Sequence, residues 1–216
     1  MYGENTFFNE RAYQYFESKG VDMYYNQGPW NATETVTAFN RLNIYLDAQL
    51  QWDCTQSVTT LTNKYFNAMF GAGASYMKQL YDAENAASRE LFDPDIEGVP
   101  NDTTNSFESW FGVLSSSNIN KWLGYITSAK NAVNADTTLT EEQKAVYINH
   151  INEEWIAVKY WQMRYHGSSI KAAAKAEFRE VLGYDATTGK YAKDVKIGER
   201  YKYTLTQWIE NNFVAP

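Results

Sequence analysis

The chain has 216 residues, enough for one large domain or two small ones with a substantial core. Lys and Arg number 19 against 26 Asp and Glu, giving a net charge of −7 and a pI near 4.9. That balance argues against nucleic acid and anionic membrane surfaces as partners, since both demand local positive charge. The longest uncharged run, Tyr65 to Met77, falls short of the ~20 apolar residues of a bilayer span and is broken by Asn67, Gly71, Gly73 and Ser75. No membrane span is expected, and the polar, acidic residues after Met1 do not form a secretory leader. A lone Cys54 excludes an internal disulfide.

Taken in chain order, the pattern predicts a mainly α fold. Phe8, Ala12, Tyr15 and Phe16 recur at helical spacing over Asn9 to Lys19, and Gly20 supplies the stop. Val21 to Tyr25 alternates as a short strand would. A helix followed directly by a strand is the rhythm of an α/β barrel or a doubly wound sheet, yet only one such unit is present. After the Asn26–Trp30 turn, Thr33 or Thr35 can cap a helix running to Trp52. Its core face is Val36, Phe39, Leu42, Leu46 and Leu50, and a second stripe holds Arg41, Tyr45, Ala48 and Trp52. Thr55 or Ser57 caps the next helix, with Val58, Leu61, Tyr65 and Met69 inward, until Gly71 and Gly73 interrupt it. A third helix is expected over Ala74 to Leu91, with Met77, Leu80, Tyr81, Ala87 and Leu91 inward. The short links favour antiparallel neighbours and hence a bundle.

Asp93 to Asn105 reads as a loop, followed by a short helix near Phe107–Leu114 and a longer one from Ser117 to Asn134. Thr140-Glu141-Glu142-Gln143 is a capping box that starts the longest helix, ending near Tyr165. A further helix spans Ser169 to Leu182 and stops at Gly183. Lys190–Tyr203 carries one or two strands around Gly198, and Thr206–Asn212 is helical. The architecture expected is a helical bundle-like domain with a remnant helix–strand unit at the start and a small strand pair near the end.

The chemistry-bearing residues are sparse. His150 and His166 are the two histidines, one mid-helix beside Glu153 and Glu154, the other at a helix end. Neither accompanies a nucleophile in the manner of a Ser–His or Cys–His pair, and one cysteine with two distant histidines does not make a zinc site. Asp93, Asp95 and Glu97, followed by Gly98, copy the opening of a calcium loop. Pro94 stiffens it and Thr104 stands where a bidentate Glu is needed, so a solvated acidic turn is the competing reading. Glycoside cleavage needs two carboxyls ~5–9 Å apart across a sugar. The neighbours Glu141/Glu142 and Glu153/Glu154 point about 100° apart on a helix and do not converge. Glu4 and Glu10 remain only by default. No catalytic residue and no cofactor is assigned. Tyr24, Tyr25, Gln27 and Trp30 form the candidate substrate-binding set: aromatic faces and amides at a strand end, where barrel enzymes place ligands and where rings stack on neutral sugars. The competing reading is a strand end packed on the helices.

A set of ordered motifs runs through the first part of the chain. It comprises Lys19-Gly20-Val21, Gln27-Gly28, Tyr45-Leu46-Asp47-Ala48-Gln49-Leu50-Gln51-Trp52-Asp53, Tyr65-Phe66, Phe70-Gly71-Ala72-Gly73-Ala74, Tyr76-Met77 and Leu80-Tyr81. From Thr6 to about Asp93 the chain resembles the C-terminal region of a family of bacterial glycoside-hydrolase-like proteins related to the barrels of α-glucuronidases and β-hexosaminidases. The family usually carries Tyr-Gly where Phe70-Gly71 stands here, and the resemblance does not extend beyond Asp93. It implies that Gln27-Gly28 ends the eighth barrel strand and that residues 1–30 are the remnant of a barrel. Residues 31–216 would then be a helical C-terminal domain, with a sub-boundary in the 93–105 loop. It also implies a secreted parent, extracellular or periplasmic, with the rest of that barrel and polysaccharide or oligosaccharide as partners. The seven earlier strands would hold any catalytic carboxylates. A severed barrel strand exposes an unpaired edge, which predicts a weak homodimer through that strand. The alternative is a self-contained glycan-binding or protein-interaction module.

Overall fold

The computed structural model describes residues 6–21, 39–92, 113–166, 171–193, 196–197 and 203–212. The fold is mainly α. In chain order come α1 (Thr6–Ser18), α2 (Asn40–Trp52), α3 (Val58–Phe70), a 3-10 turn (Gly71–Gly73), α4 (Ala74–Phe92), α5 (Ser116–Ala135), α6 (Glu141–His166) and α7 (Lys171–Val181). Two short antiparallel pairs follow, β1 (Tyr184–Asp185) with β2 (Lys190–Tyr191) and β3 (Lys196–Ile197) with β4 (Tyr203–Thr204), and α8 (Leu205–Asn212) closes the described chain.

α5 is the centre of the packing, and its sequence explains why. Ser115 caps it by accepting the Asn118 amide, and Ile119, Trp122, Ile126, Ala129 and Val133 recur at alternating three- and four-residue steps, all buried. α6 begins at the capping box: the Thr140 hydroxyl accepts the Gln143 amide at 3.3 Å, while the Gln143 side chain accepts the Thr140 amide at 2.9 Å. Gln162 donates to Asn120 and the Trp122 and Trp161 rings meet edge to face, so α6 runs back antiparallel along α5. α4 packs against α5 as well, and α3 against α2, α4 and α6; α1 lies on α2 and α3.

The turn between α3 and α4 must pass very close to this centre. A side chain at Gly73 would bring its Cβ within 3.0 Å of the Ala129 carbonyl oxygen of α5. Gly71 sits at φ 50°, and a Cβ there would lie 2.7 Å from the Tyr147 ring of α6. Two glycines are therefore needed where the helix breaks, one for approach and one for conformation as well. Around the same point Phe39, Phe66, Phe70 and Tyr81 form an aromatic cluster, with ring centroids 5.1 to 6.4 Å apart.

Several element ends differ from expectation. α1 starts at Thr6 rather than Asn9, and Gly20 ends it at φ 70° as anticipated. Val21 is exposed and outside regular structure, while the remainder of the expected strand and the Thr33/Thr35 cap lie outside the described residues. α2 as described starts at Asn40. Ser57, not Thr55, caps α3; Thr55 is bonded back to Asp53 through both its amide and its hydroxyl. The tail forms two hairpins rather than strands around Gly198 alone, because β1 precedes the stretch read as extended.

Candidate functional site

The residues singled out for sugar contact (Tyr24, Tyr25, Gln27, Trp30) and for calcium (Asp93, Asp95, Glu97) lie outside the described residues. Among the described residues no cluster of three or more His, Cys, Asp or Glu could hold a metal ion. No helix there is long and apolar enough to cross a membrane.

Two glutamates are buried instead, Glu84 of α4 and Glu154 of α6. Glu84 is 5 % exposed and Glu154 7 %. Both sit on helical stripes that are otherwise apolar: Met77, Leu80, Tyr81 and Ala87 flank Glu84, and Ile151, Trp155 and Val158 flank Glu154. Glu154 Oε2 accepts the Phe39 backbone N–H at 2.8 Å. Phe39 is the N-cap residue of α2, with φ 54° and ψ 22°, a left-handed conformation uncommon for a residue with a large side chain. Its own side chain cannot cap; it is enclosed by Phe66, Phe70 and Tyr81. The cap is therefore supplied from a residue 115 positions away, with a carboxyl oxygen accepting at the positive end of the α2 dipole.

The next residue back serves the same turn from outside. Glu153 receives Arg41 in a two-pronged contact, 2.8 and 3.1 Å, so consecutive glutamates of α6 hold α2 by its backbone and by its first-turn side chain. Glu153 and Glu154 take different partners, the half-buried Glu153 the Arg41 guanidinium and the buried Glu154 the Phe39 amide.

The proton chemistry follows from enclosure. Burial pushes the Glu84 carboxyl from its ordinary 4.5 up to about 8, so it is predominantly a neutral acid at pH 7. Its Oε1 has no hydrogen-bond partner among the described residues. Burial also raises Glu154 well above the usual carboxylate range; the Phe39 amide opposes that rise and the nearby Glu84 adds to it. Tyr65 of α3 is raised by burial first and then by the charge of Glu154. Both carboxyls are thus shifted toward their neutral form. Both groups are sealed by helix packing and one is committed to a backbone amide. The arrangement anchors a helix.

The remaining reactive side chains are likewise committed. Cys54 is buried and its thiol donates to Glu17 Oε2 at 2.6 Å. That bond, with burial, raises its pKa and keeps it protonated and unreactive. His150 does not pair with its helix neighbours: its Nδ1 meets the Met69 carbonyl at the end of α3, 2.8 Å away. His166 Nε2 meets the Leu114 carbonyl at 2.6 Å. Because a carbonyl only accepts, each ring nitrogen must carry the hydrogen.

Residues 5–82 match the model of a family described as a domain of unknown function, DUF4838. No curated protein and no solved structure matches the chain. The matched span covers α1 to the first half of α4 and ends just before Glu84. Within it, many of the motif residues described have packing roles. Leu46, Leu50, Tyr65, Phe66, Phe70, Met77, Leu80 and Tyr81 are buried, Gly71 and Gly73 make the tight passage, and Asp53 accepts from Thr55 to start α3. Others are exposed, among them Lys19, Val21, Ala48, Ala72 and, at the end of α2, Trp52 at 91 %.

Proposed function

We propose that this chain is a non-catalytic, helical C-terminal domain of a secreted, glycoside-hydrolase-like, carbohydrate-active protein, buttressing an α/β barrel and, through Tyr24, Tyr25, Gln27 and Trp30, bordering its sugar site. The observation that carries the reading is the fate of the larger apolar motif residues: Leu46, Leu50, Tyr65, Phe66, Phe70, Met77, Leu80 and Tyr81 go into helix packing, and Gly71 and Gly73 into a tight turn. A support role asks for that distribution. The family match over residues 5–82 nearly coincides with the Thr6–Asp93 stretch on which the resemblance to barrel enzymes rests, which favours treating the two as one signal. On this reading the barrel is the principal partner and the site of action is extracellular or periplasmic. An antibody raised against this chain tests it in the producing cells. A band far above 24.9 kDa, in the secreted or periplasmic fraction, is expected; a cytoplasmic band at 24.9 kDa overturns the reading.

One observation favours the alternative of a self-contained glycan-binding module. Trp52 presents almost its whole indole to solvent, as a sugar-stacking platform does, with Ile44 also exposed on α2. Affinity-gel retardation by a soluble glycan, abolished by Trp52→Ala, is the result that alternative requires.

A further inference from the structure

An exposed apolar line runs along α2, on the side away from its buried residues Leu42, Leu46 and Leu50. Its members, Ile44, Ala48 and Trp52, are spaced four apart and therefore share one face. All three are exposed, Ile44 by 40 % and Trp52 by 91 %. The partly buried Tyr45 borders the line, its ring against Tyr65. A net charge of −7 opposes self-association over the surface at large, yet the three exposed positions of this line carry no charge. Polar neighbours at the Trp52 end are already engaged: Asp53 accepts the Thr55 amide and hydroxyl, and Gln56 donates to the Gln49 carbonyl. That favours an apolar partner over a sugar at this place. The exposed rings of α1, Tyr15 and Phe16, meet each other edge to face, with Lys19 over Tyr15, and form no such line.

We propose that α2 docks on the α2 of a second copy of this chain, the two helices running antiparallel and crossing at Ala48. The spacing is self-complementary. Ile44 and Trp52 stand four residues to either side of Ala48, so a two-fold axis there sets Ile44 of each copy against Trp52 of the other. The small Ala48 side chain lets the helix axes approach to about 8 Å, and the larger groups interdigitate around it. The ends match in charge as well. Antiparallel pairing opposes the two helix dipoles and brings Arg41, in the first turn of one copy, to the carbonyl end and Asp53 of the other. Arg41 keeps 55 % of its side chain exposed while it holds Glu153. Hydrogen bonds from Thr55 hold the Asp53 carboxyl below the usual carboxylate range, hence charged. A parallel pair would instead align the dipoles and set like ends together. The contact buries on the order of 800–1,000 Å² in all, short of the roughly 1,200–2,000 Å² of stable complexes, so the dimer is weak and reversible. It rests on the α2 surface and is independent of the carbohydrate reading.

Sedimentation equilibrium of the whole chain, from about 10 µM to about 1 mM, tests this, because a Kd on the order of 100 µM falls inside that range. The mass should climb from 24.9 kDa toward twice that value. Ala48→Glu sets two like charges together at the two-fold axis and should weaken association at least about tenfold. Ala48 is exposed, so the variant should keep the wild-type circular dichroism. Ala48→Cys should form a covalent dimer under mild oxidation, since only a pair crossing at this position brings the two thiols together. A mass of one chain throughout overturns the proposal and leaves the line to a sugar or to another protein. Undiminished association of Ala48→Glu overturns it as well and moves the contact elsewhere, to an open strand edge for instance. Failure of Ala48→Cys to cross-link at concentrations where the wild type is half dimeric refutes the crossing point.

Discussion

Replacing Gly71 by Ala tests the packing account of the Phe70-Gly71-Ala72-Gly73-Ala74 motif. Two costs combine at this position. The backbone stands at φ 50° and ψ −125°, where an L side chain is strained by about 1–3 kcal/mol. The added Cβ would also lie 2.7 Å from Tyr147 Cε2 and 2.9 Å from Cζ, so the ring or the turn must move, an overpacking cost of roughly another 1–3 kcal/mol. Gly71→Ala should therefore cost about 2–6 kcal/mol in all, a large part of the stability of an ordinary domain. Gly189 is the control: it has φ 68° but nothing within 4 Å of its would-be Cβ, so Gly189→Ala should cost only about 1–2 kcal/mol of backbone strain. The assay is urea unfolding followed by tryptophan fluorescence. A double-mutant cycle with Tyr147→Ala should return the steric share as a coupling of about 1–3 kcal/mol. Gly71→Ala costing no more than Gly189→Ala, or a cycle with no coupling, would refute the reasoning.

Glu84→Met should stabilise the protein near neutrality. A carboxyl raised from 4.5 to about 8 makes an unfavourable contribution to folding that is absent below pH 4.5 and grows until pH 8. At pH 7 the penalty is roughly 3 kcal/mol, so the variant's advantage in urea melts should rise with pH and vanish near pH 4. Glu210 has the opposite sign. Partial burial pushes its carboxyl up, but hydrogen bonds from Lys175, Tyr191 and Arg179 outweigh that and hold it down at about 2. Its contribution is present above the ordinary 4.5 and is lost as the pH falls toward 2. Glu210→Gln should lower Tm at neutral pH, modestly because the cluster is partly solvated, and leave it unchanged near pH 2. Thr140→Ala removes the hydroxyl half of the capping box and should cost about 1 kcal/mol by the same melts, without altering the pH profile.

How far the sequence could be read depended on whether the deciding contact was local. The ends of α5 agree with expectation to a residue, because the Trp122, Ile126 and Ala129 stripe is regular and Ser115 supplies a nearby cap. α6 was legible from Thr140 and Gln143 for the same reason, and the glycine stops at Gly20 and Gly183 appear at positive φ. The start of α2 was not legible. Its cap is Glu154, brought from another helix, and Phe39 carries no local sign of the left-handed conformation it adopts. His150 illustrates the same failure: Glu153 and Glu154 stood at the right helical spacing, but the Met69 carbonyl at the end of α3 took the ring.

The two buried glutamates do leave a signal in the sequence. The inward stripe of α4 was read from its apolar members, Met77, Leu80, Tyr81 and Ala87, and Glu84 falls on that stripe. Likewise Glu154 falls among Ile151, Trp155 and Val158. A charge at a core position is a flag for burial with a partner or a shifted pKa. The hairpin of β1 and β2 also left a trace: Asp185 accepts from Thr187 and Thr188, and Gly189 turns at positive φ, a turn signature just ahead of the stretch read as extended.

We propose that this chain supports sugar chemistry without performing it, with the buried Glu154 serving to hold α2. Steady-state turnover of a panel of chromogenic α- and β-glycosides by the purified chain, run beside Glu84→Gln and Glu154→Gln, measures this most directly. The account predicts no hydrolysis above the buffer rate for any of the three. Saturable turnover by the wild type that either substitution abolishes would contradict it.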